Sequence, residues 1–530
     1  MNITLIIAIV LVYFAGLLGL AFYTSRGADN NSFFTGNKKS SWWLVAFGMI
    51  GTSLSGVTFI SVPGTVGRIG DTYPFAGFEY FQLVLGFFAG YFVVAFILLP
   101  LYYRLNLTSI YTYLNQRFNP EAHKTGAVFF IISRVIGATA RLYLVIYVLQ
   151  LFLLDQFHIP FYLTAGVILL MILLYTFEGG VKTIVITDTL QTSFMLISVA
   201  ACIVFILSQL NISFSEAIDT LEDKTYLHVF NTNYLSGSYF WKQFIGGMFI
   251  TISMTGLDQE MMQKNISVKN LKDSKKNMLS FATILLGVNF LFLFLGGLLY
   301  LYAIKNGGNY AQVTEMVKGK AEIKNLFNLY DPALHKTVNV MGDDLFPTMA
   351  LHGFFPSLVG IIFIIGLVSA LFPSADGALT SLTSSFCVDI LNLPNKTKLD
   401  DAQKKRIRIM VHLIFTVIFM IFIIIFHKIN NKSTVELIMK LAGYTYGPLL
   451  GLFSFGILTK RKLNVIPGAI LLVCLLAPVL SYIINAICSE TNYKIGVELI
   501  VINGLITFGL LYIVSLFSGK RGGKSVEQLH

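Results

Sequence analysis

Apolar runs of roughly 20 residues recur from one end of the chain to the other, separated by shorter polar gaps. Each run is long enough to cross a hydrocarbon layer about 30 Å thick. The pattern predicts about thirteen transmembrane helices, near residues 2–23, 42–66, 74–103, 125–154, 159–177, 188–208, 239–262, 277–304, 348–386, 409–427, 433–457, 463–486 and 495–517. Little chain is left for a separate soluble domain, so the expected fold class is an all-α integral membrane protein with one transmembrane domain over residues 1–530. The first run, Asn2 to Tyr23, has no basic leading region and exceeds the apolar core of a signal peptide. It reads as a retained helix.

Polar positions break the pattern inside two runs. Between Gly48 and Gly64, glycine and proline alternate with hydroxyls at Thr52, Ser53, Ser55, Thr58 and Ser61. Irregular backbone at membrane depth is tolerated where it is buried in protein or lines a wet cavity, and its freed carbonyls suit a hard monovalent cation. Close helix packing through small residues accounts for the same composition. Five spans later, Ile250 to Asp258 carries Thr251, Ser253, Thr255 and Gly256 in a similar interruption. Two interruptions at this interval predict an inverted repeat of five helices, 42–208 and 239–457, with the solute held midway between the broken helices. The helix at 2–23 precedes the repeats, and two helices at 463–517 follow them.

Composition agrees with a bilayer as solvent: 55% of the residues are hydrophobic and 12% charged, with a mean hydropathy of +0.73. The net charge of +11 would suggest nucleic acid in a soluble protein. Here most Lys and Arg fall in alternate gaps, among them Arg26, Lys38, Arg104, Arg117, Lys124, Lys182 and Lys460 to Lys462. The lysine-rich strips Lys264–Lys276 and Lys396–Arg408 belong to the same set. The positive-inside rule then puts the N-terminus outside and the C-terminus in the cytoplasm of a cell (inner) membrane protein, with no nucleic-acid partner. The four cysteines, Cys202, Cys387, Cys474 and Cys488, show neither disulfide nor metal spacing. Gly519 to Ser525 lacks the first glycine and the preceding strand of a phosphate-binding loop, and no enzymatic motif stands out. The chain does not read as an enzyme.

Ionisable groups inside apolar runs are functional candidates. Asp188 opens the sixth span, and Asp376 lies in the hydroxyl-rich run Ala370 to Ser385. Oxygen-rich clusters with carboxylates suit alkali cations, whereas an interfacial carboxylate and a packing hydrogen bond are the alternatives. Arg134 and Arg141 stand two helical turns apart on one inward face. Their anions are Glu79 of the third span, a bound carboxylate substrate, or both. Asp258 and Glu260, beside Gln259 and Gln263, sit near a cytoplasmic helix end and suit a gate or a helix cap, with plain surface solvation as the alternative.

These residues resemble the sodium:solute symporter family. The resemblance rests on Ser53 to Pro63, on Gly179-Gly180 followed by Thr187-Asp188, on Gln259 to Gln263, and on the Ser/Thr-rich run ending in Asp389. It covers the chain after the first helix and is nearest to bacterial sialic acid and sugar symporters. The resemblance implies the leucine-transporter-type fold of two inverted five-helix repeats. It implies a main sodium site of the Gly51, Leu54 and Ala370 carbonyls and the Ser374 hydroxyl, with Pro373 replacing one expected serine. A second sodium site would pair Asp188 with positions 376 and 377, where Asp376 replaces a serine. Asp376 there either strengthens cation binding, is protonated, or pairs with an arginine. The implied substrate pocket is Ser53, Ser55, Thr58, Phe78, Gln82 and Arg134. Arg141 is an extra arginine, and either one is a candidate for the substrate ligand.

The expected function is sodium-driven import of a small polar solute (a sugar, sialic acid or other organic anion) by alternating access, with one or two Na+ per cycle. A monomer in the lipid bilayer suffices. A proton-coupled or uncoupled carrier, with Asp376 taking the proton, and a solute sensor on the same fold are the alternatives.

Overall fold

The structure, a computed structural model, describes residues 3–25, 33, 38, 40–68, 75–176, 180–317, 320–429, 434–491 and 493–518. The expected apolar runs are helices in it: α1 (Ile3–Ser25), α2 (Trp42–Ser53), α3 (Gly56–Thr65), α4 (Tyr80–Arg104), α5 (Pro120–Leu149), α6 (Phe161–Thr176), α7 (Gly180–Leu210), α8 (Phe240–Thr251) and α9 (Gln259–Ile266). They continue as α10 (Leu271–Lys305), α11 (Ser357–Ser385), α12 (Asp401–Ile429), α13 (Thr434–Leu458), α14 (Ala469–Ser489) and α15 (Leu499–Leu516). Among the described residues nine helices are long and apolar enough to cross a membrane, or ten when the bent pair α2 and α3 is one span. The expected count of thirteen adds α1, the 16-residue α6 and the seventh span, whose helix is interrupted at Ile252–Gly256. Large apolar side chains such as Val12, Phe22, Val204, Leu358 and Leu505 face outward, as a lipid-facing surface requires.

Both interruptions are real, and they end differently. In the second span the Leu54 amide donates to the Ile50 carbonyl at 2.7 Å, closing α2, and the chain bends by 59° before α3 starts at Gly56. Glycine and hydroxyl side chains weaken the helix here, glycine through backbone entropy and Ser or Thr by competing for backbone groups. No backbone N–H among the described residues donates to the carbonyls of Gly51 or Leu54. In the seventh span α8 runs into a π-turn at Ile252–Gly256, and Asp258 caps α9 by accepting from the Glu260 and Met261 amides at 2.9 and 3.4 Å. There the Tyr102 and Tyr111 hydroxyls donate to the Gly256 and Leu257 carbonyls at 2.8 and 2.9 Å. The second break is thus closed by phenols, while the first leaves oxygens open.

The all-helical expectation needs one amendment. Between α10 and α11 the chain forms a three-stranded antiparallel sheet, β1 (Asn309–Val317), β2 (Lys320–Asp331) and β3 (Lys336–Asn339), with Asn309 opposite Asn328. The Tyr310 hydroxyl donates to the Gly67 carbonyl at 3.0 Å, and Asp331 meets His352 at 2.5 Å, so the sheet is fastened beside the far end of α3. Nine alternating residues with charges give too weak an apolar signal to announce such a strand.

Helices α4 and α8 cross in contact through glycines. A Cβ added at Gly86 would lie 2.2 Å from the Phe244 carbonyl oxygen, and one at Gly247 would lie 2.4 Å from that of Leu83. Backbone on the far side cannot yield as a flexible side chain would. Gly86→Val should therefore destabilise the protein by about 1–3 kcal/mol, the cost of overpacking, seen as a lower melting temperature in detergent. An unchanged melting temperature would contradict this crossing.

Candidate functional site

A cavity of about 110 Å³ opens at the break between α2 and α3. Ser53, Ser55 and Thr58 come from the break itself, Tyr91 from α4, Thr251 and Thr255 from the seventh span, and Asn289 from α10. Phe87, Ile250, Met254, Leu285, Ile438 and Met439 supply apolar wall. Arg134 and Arg141 of α5 both line it, two turns apart on one helix face, as their spacing requires.

The two arginines stand in different electrostatic settings. Arg134 forms an ion pair with Glu260, and its Nη1 lies 3.6 Å from Asp258 Oδ2. Asp258 also accepts from the Tyr446 hydroxyl at 2.9 Å. Arg141 has no hydrogen-bond or ion-pair partner among the described residues. The chain of buried charges continues away from the cavity. Glu260 Oε1 is 3.7 Å from Lys264 Nζ, and Lys264 donates to Asp188 Oδ2 at 2.7 Å and to the Thr52 hydroxyl. Every member is at least nine-tenths buried. Buried ions are tolerated when paired and hydrogen-bonded, and removal of one partner typically costs about 3–5 kcal/mol.

Asp376 lies nearby on α11, accepting from the Tyr175 hydroxyl at 2.8 Å. Its neighbour Gly377 explains how Glu260 fits: a Cβ on residue 377 would lie only 2.2 Å from Glu260 Oε1. One and two helical turns before this, Ser374 and Ala370 are buried where α11 packs against both α2 and α3. The Ser374 hydroxyl, on a residue 2% exposed, has no hydrogen-bond partner. An unpaired buried hydroxyl is costly unless a ligand uses it. Among the described residues the Gly51 and Leu54 carbonyls likewise receive no backbone N–H.

The profile of the sodium:solute symporter family matches residues 33–471. The chain belongs to that family. It is a sodium-coupled symporter of a small solute, with Na+ as the coupling ion. The sodium/sialic acid symporter NanT of Aliivibrio fischeri is 23% identical over 464 residues, covering 85% of this chain and 82% of that protein. Human sodium-coupled monocarboxylate transporter 1 is 28% identical over 278 residues, 50% of this chain and 43% of that protein. Among solved structures, the substrate-bound outward-open state of a Na+-coupled sialic acid symporter superposes with a TM-score of 0.77, covering 97% of this chain and 98% of that one at 18% identity. The closed form of the nucleobase-cation symporter Mhp1 gives 0.51 at 12% identity, over 92% of this chain and 94% of that one. At these identities the likeness shows a shared fold, the transporter fold expected from the two interruptions.

In this symporter the cavity gathers Ser53, Ser55, Thr58, Arg134 and Arg141, but not Phe78 or Gln82. Phe78 packs its ring against Phe290 at 5.9 Å. The Gln82 amide donates to the Glu79 and Ser238 carbonyls and accepts from the Asn231 amide, which spends it on the loop over the cavity. Glu79 is not the arginines' counter-ion. It bonds the Asn231 side chain at 2.9 Å and the Ala76 amide at 3.2 Å. Asp258 and Glu260 are buried rather than solvated. Gln259 bridges α9 to the 104–117 segment, accepting from the Ile110 amide and donating to the Thr108 carbonyl, each at 3.0 Å. Gly51 lies against α7, where a Cβ would meet the Thr192 hydroxyl.

Lys264 overturns its sequence reading as a loop charge: it is 2% exposed, whereas Lys269, Lys272 and Lys276 beyond it are exposed. Its spacing of four from Glu260 was the available signal, since such residues share a helix face. Arg408 of the second basic strip is also buried, over the Phe33 ring. Asp389, which ends the hydroxyl-rich run, accepts from Ser109 and Ser385 and meets His123 at 2.8 Å. Gly179, Arg26, the Lys182 side chain and residues 519–530 lie outside the described residues.

Loss of a central charge should unsettle the whole chain. Glu260→Ala is expected to lower stability by about 3–5 kcal/mol by leaving Arg134 undercompensated, read as earlier thermal unfolding in detergent. Unfolding at the same temperature would refute the pairing.

Proposed function

We propose that this symporter imports a small organic anion whose carboxylate is held by Arg141. The observation that carries this reading is that Arg141 lines the cavity with no ion-pair partner among the described residues, whereas Arg134 has Glu260 and Asp258. A guanidinium left unpaired in such a site favours a planar carboxylate, which it binds through two parallel N–H donors. Hydroxyls of Ser53, Ser55, Thr58 and Thr251 suit the polar groups of the solute, and the aromatic and methionine wall suits an apolar part. The similarity to a sialic acid symporter and a monocarboxylate transporter supports the same solute class, since both names denote carboxylates.

Sodium is read as bound by the carbonyls of Gly51, Leu54 and Ala370 and the Ser374 hydroxyl. The undonated carbonyls at the α2–α3 break and the unpaired Ser374 hydroxyl support this set, because oxygen ligands suit a hard cation. Ion binding across α2, α3 and α11 favours the conformation in which the cavity is ordered for solute. A ligand moves such an equilibrium only through its different affinity for the two states. Asp258 and Gln259 act as the gate, tying α9 to the 104–117 segment and to Tyr446. The moving parts are the two repeats, 42–208 and 239–457, with 2–23 and 463–517 outside them. Solute passes without chemical conversion.

The orientation with N-terminus outside and C-terminus in the cytoplasm of a cell membrane is supported by one crevice that gathers Lys38, Lys124, Lys404, Lys405 and Arg408 from three different gaps.

A thermal-shift screen in sodium against choline is the direct test, since a ligand of the folded state raises its apparent stability. Monocarboxylates or sialic acids should raise the melting temperature in sodium only, and neutral sugars should not. Arg141→Ala should weaken the anion response about ten- to a hundredfold, the worth of a hydrogen bond to a charge, with sodium binding retained. A neutral sugar that acts equally in both proteins would sink the assignment. Ser374→Ala should raise the sodium concentration for half-maximal effect about fivefold or more, the loss of roughly 1 kcal/mol of coordination. Unchanged sodium affinity would remove Ser374 from the site.

A further inference from the structure

We infer that Lys264 is the resident cation of the Asp188 site, so that this symporter binds a single sodium ion, at the Ser374 site. The inference rests on the sodium reading above and adds its stoichiometry. The Lys264 Nζ is surrounded by oxygens from three elements: Asp188 of α7 at 2.7 Å, Thr52 of α2, and Glu260 one turn earlier on α9 at 3.7 Å. Hydroxyl and carboxylate oxygens around one positive charge form the ligand set an alkali cation would take. An ammonium carries the same charge and fills the position from within the chain.

Three observations fix it there. Lys264 is 2% exposed, so no water shell competes for its protons. Its helix is pinned on both sides, by Gln259 to the Thr108 carbonyl and Ile110 amide and by Gln263 to the Ser384 hydroxyl at 3.0 Å. Finally, Glu260 occupies the room left by the absent side chain of Gly377, which keeps a second carboxylate on the ammonium. A sodium ion brought to the free oxygen of Asp188 would meet this fixed positive charge at close range in a medium of low dielectric. Removal of the ammonium leaves Asp188, Glu260 and the nearby Asp376 with excess negative charge around a vacated space.

The test is equilibrium binding of radioactive sodium to the purified full-length protein without solute, counted per folded molecule. The unaltered protein and Lys264→Arg should bind one ion. Lys264→Met should bind two, and the second should vanish in Lys264→Met combined with Asp188→Asn, which also keeps the site neutral enough to fold if the single variant does not. Two ions on the unaltered protein, two on the double variant, or one on folded Lys264→Met would overturn the inference. An unaltered protein that binds one ion, held about fivefold more weakly in Ser374→Ala, leaves the sodium reading intact whatever Lys264 does. No binding at all would overturn both.

Discussion

The structure depends on a line of buried charges of alternating sign, Asp188, Lys264, Glu260, Arg134 and Asp258, which joins α7, α9 and α5. In a bilayer no solvent relieves an unpaired charge, so each member is held by its neighbours on either side. The line also fixes where the seventh span resumes. Asp258 caps α9, Glu260 and Lys264 point from the same helix face, and the short helix can lie only where Arg134 and Asp188 flank it. A packing of apolar side chains alone would leave this eight-residue helix free to rotate or slide. The ion pairs give it one register.

That register gives the two broken helices different work. The seventh span has its loose carbonyls sealed by Tyr102 and Tyr111, its turn capped, and its side chains committed to the charge line. It is a structural joint. The second span keeps carbonyls that no backbone N–H among the described residues meets, and it packs against the helix that carries the unpaired Ser374 hydroxyl. It is the part of the pair with ligand capacity. The two interruptions are therefore unlike in their chemistry, although both line the same cavity.

Much of this was legible in the residues. Run lengths located the helices, because a bilayer imposes the same demand on each. Glycine and hydroxyl content located both breaks, because those residue types weaken helices locally. The inward face shared by Arg134 and Arg141 followed from helical geometry. The partners did not, since Glu260 and Arg134 are 126 positions apart in the sequence and meet only in the folded chain. Lys264 looked like a loop charge because hydropathy ends a span at its first cluster of polar residues, whereas here a capped helix continues under cover. Phe78 and Gln82 came from resemblance alone: the loop carrying Asn231 and Ser238 uses Gln82 for its own hydrogen bonds, and Phe78 packs against Phe290. The sheet at 309–339 gave too little apolar alternation to be seen.

The contact between Gly377 and Glu260 bears on how such a site can change by mutation. With the Glu260 carboxylate held by Arg134, a side chain at position 377 would meet it, so one of the two would have to give way. The two positions are therefore coupled, and the effect of changing one depends on which residue stands at the other.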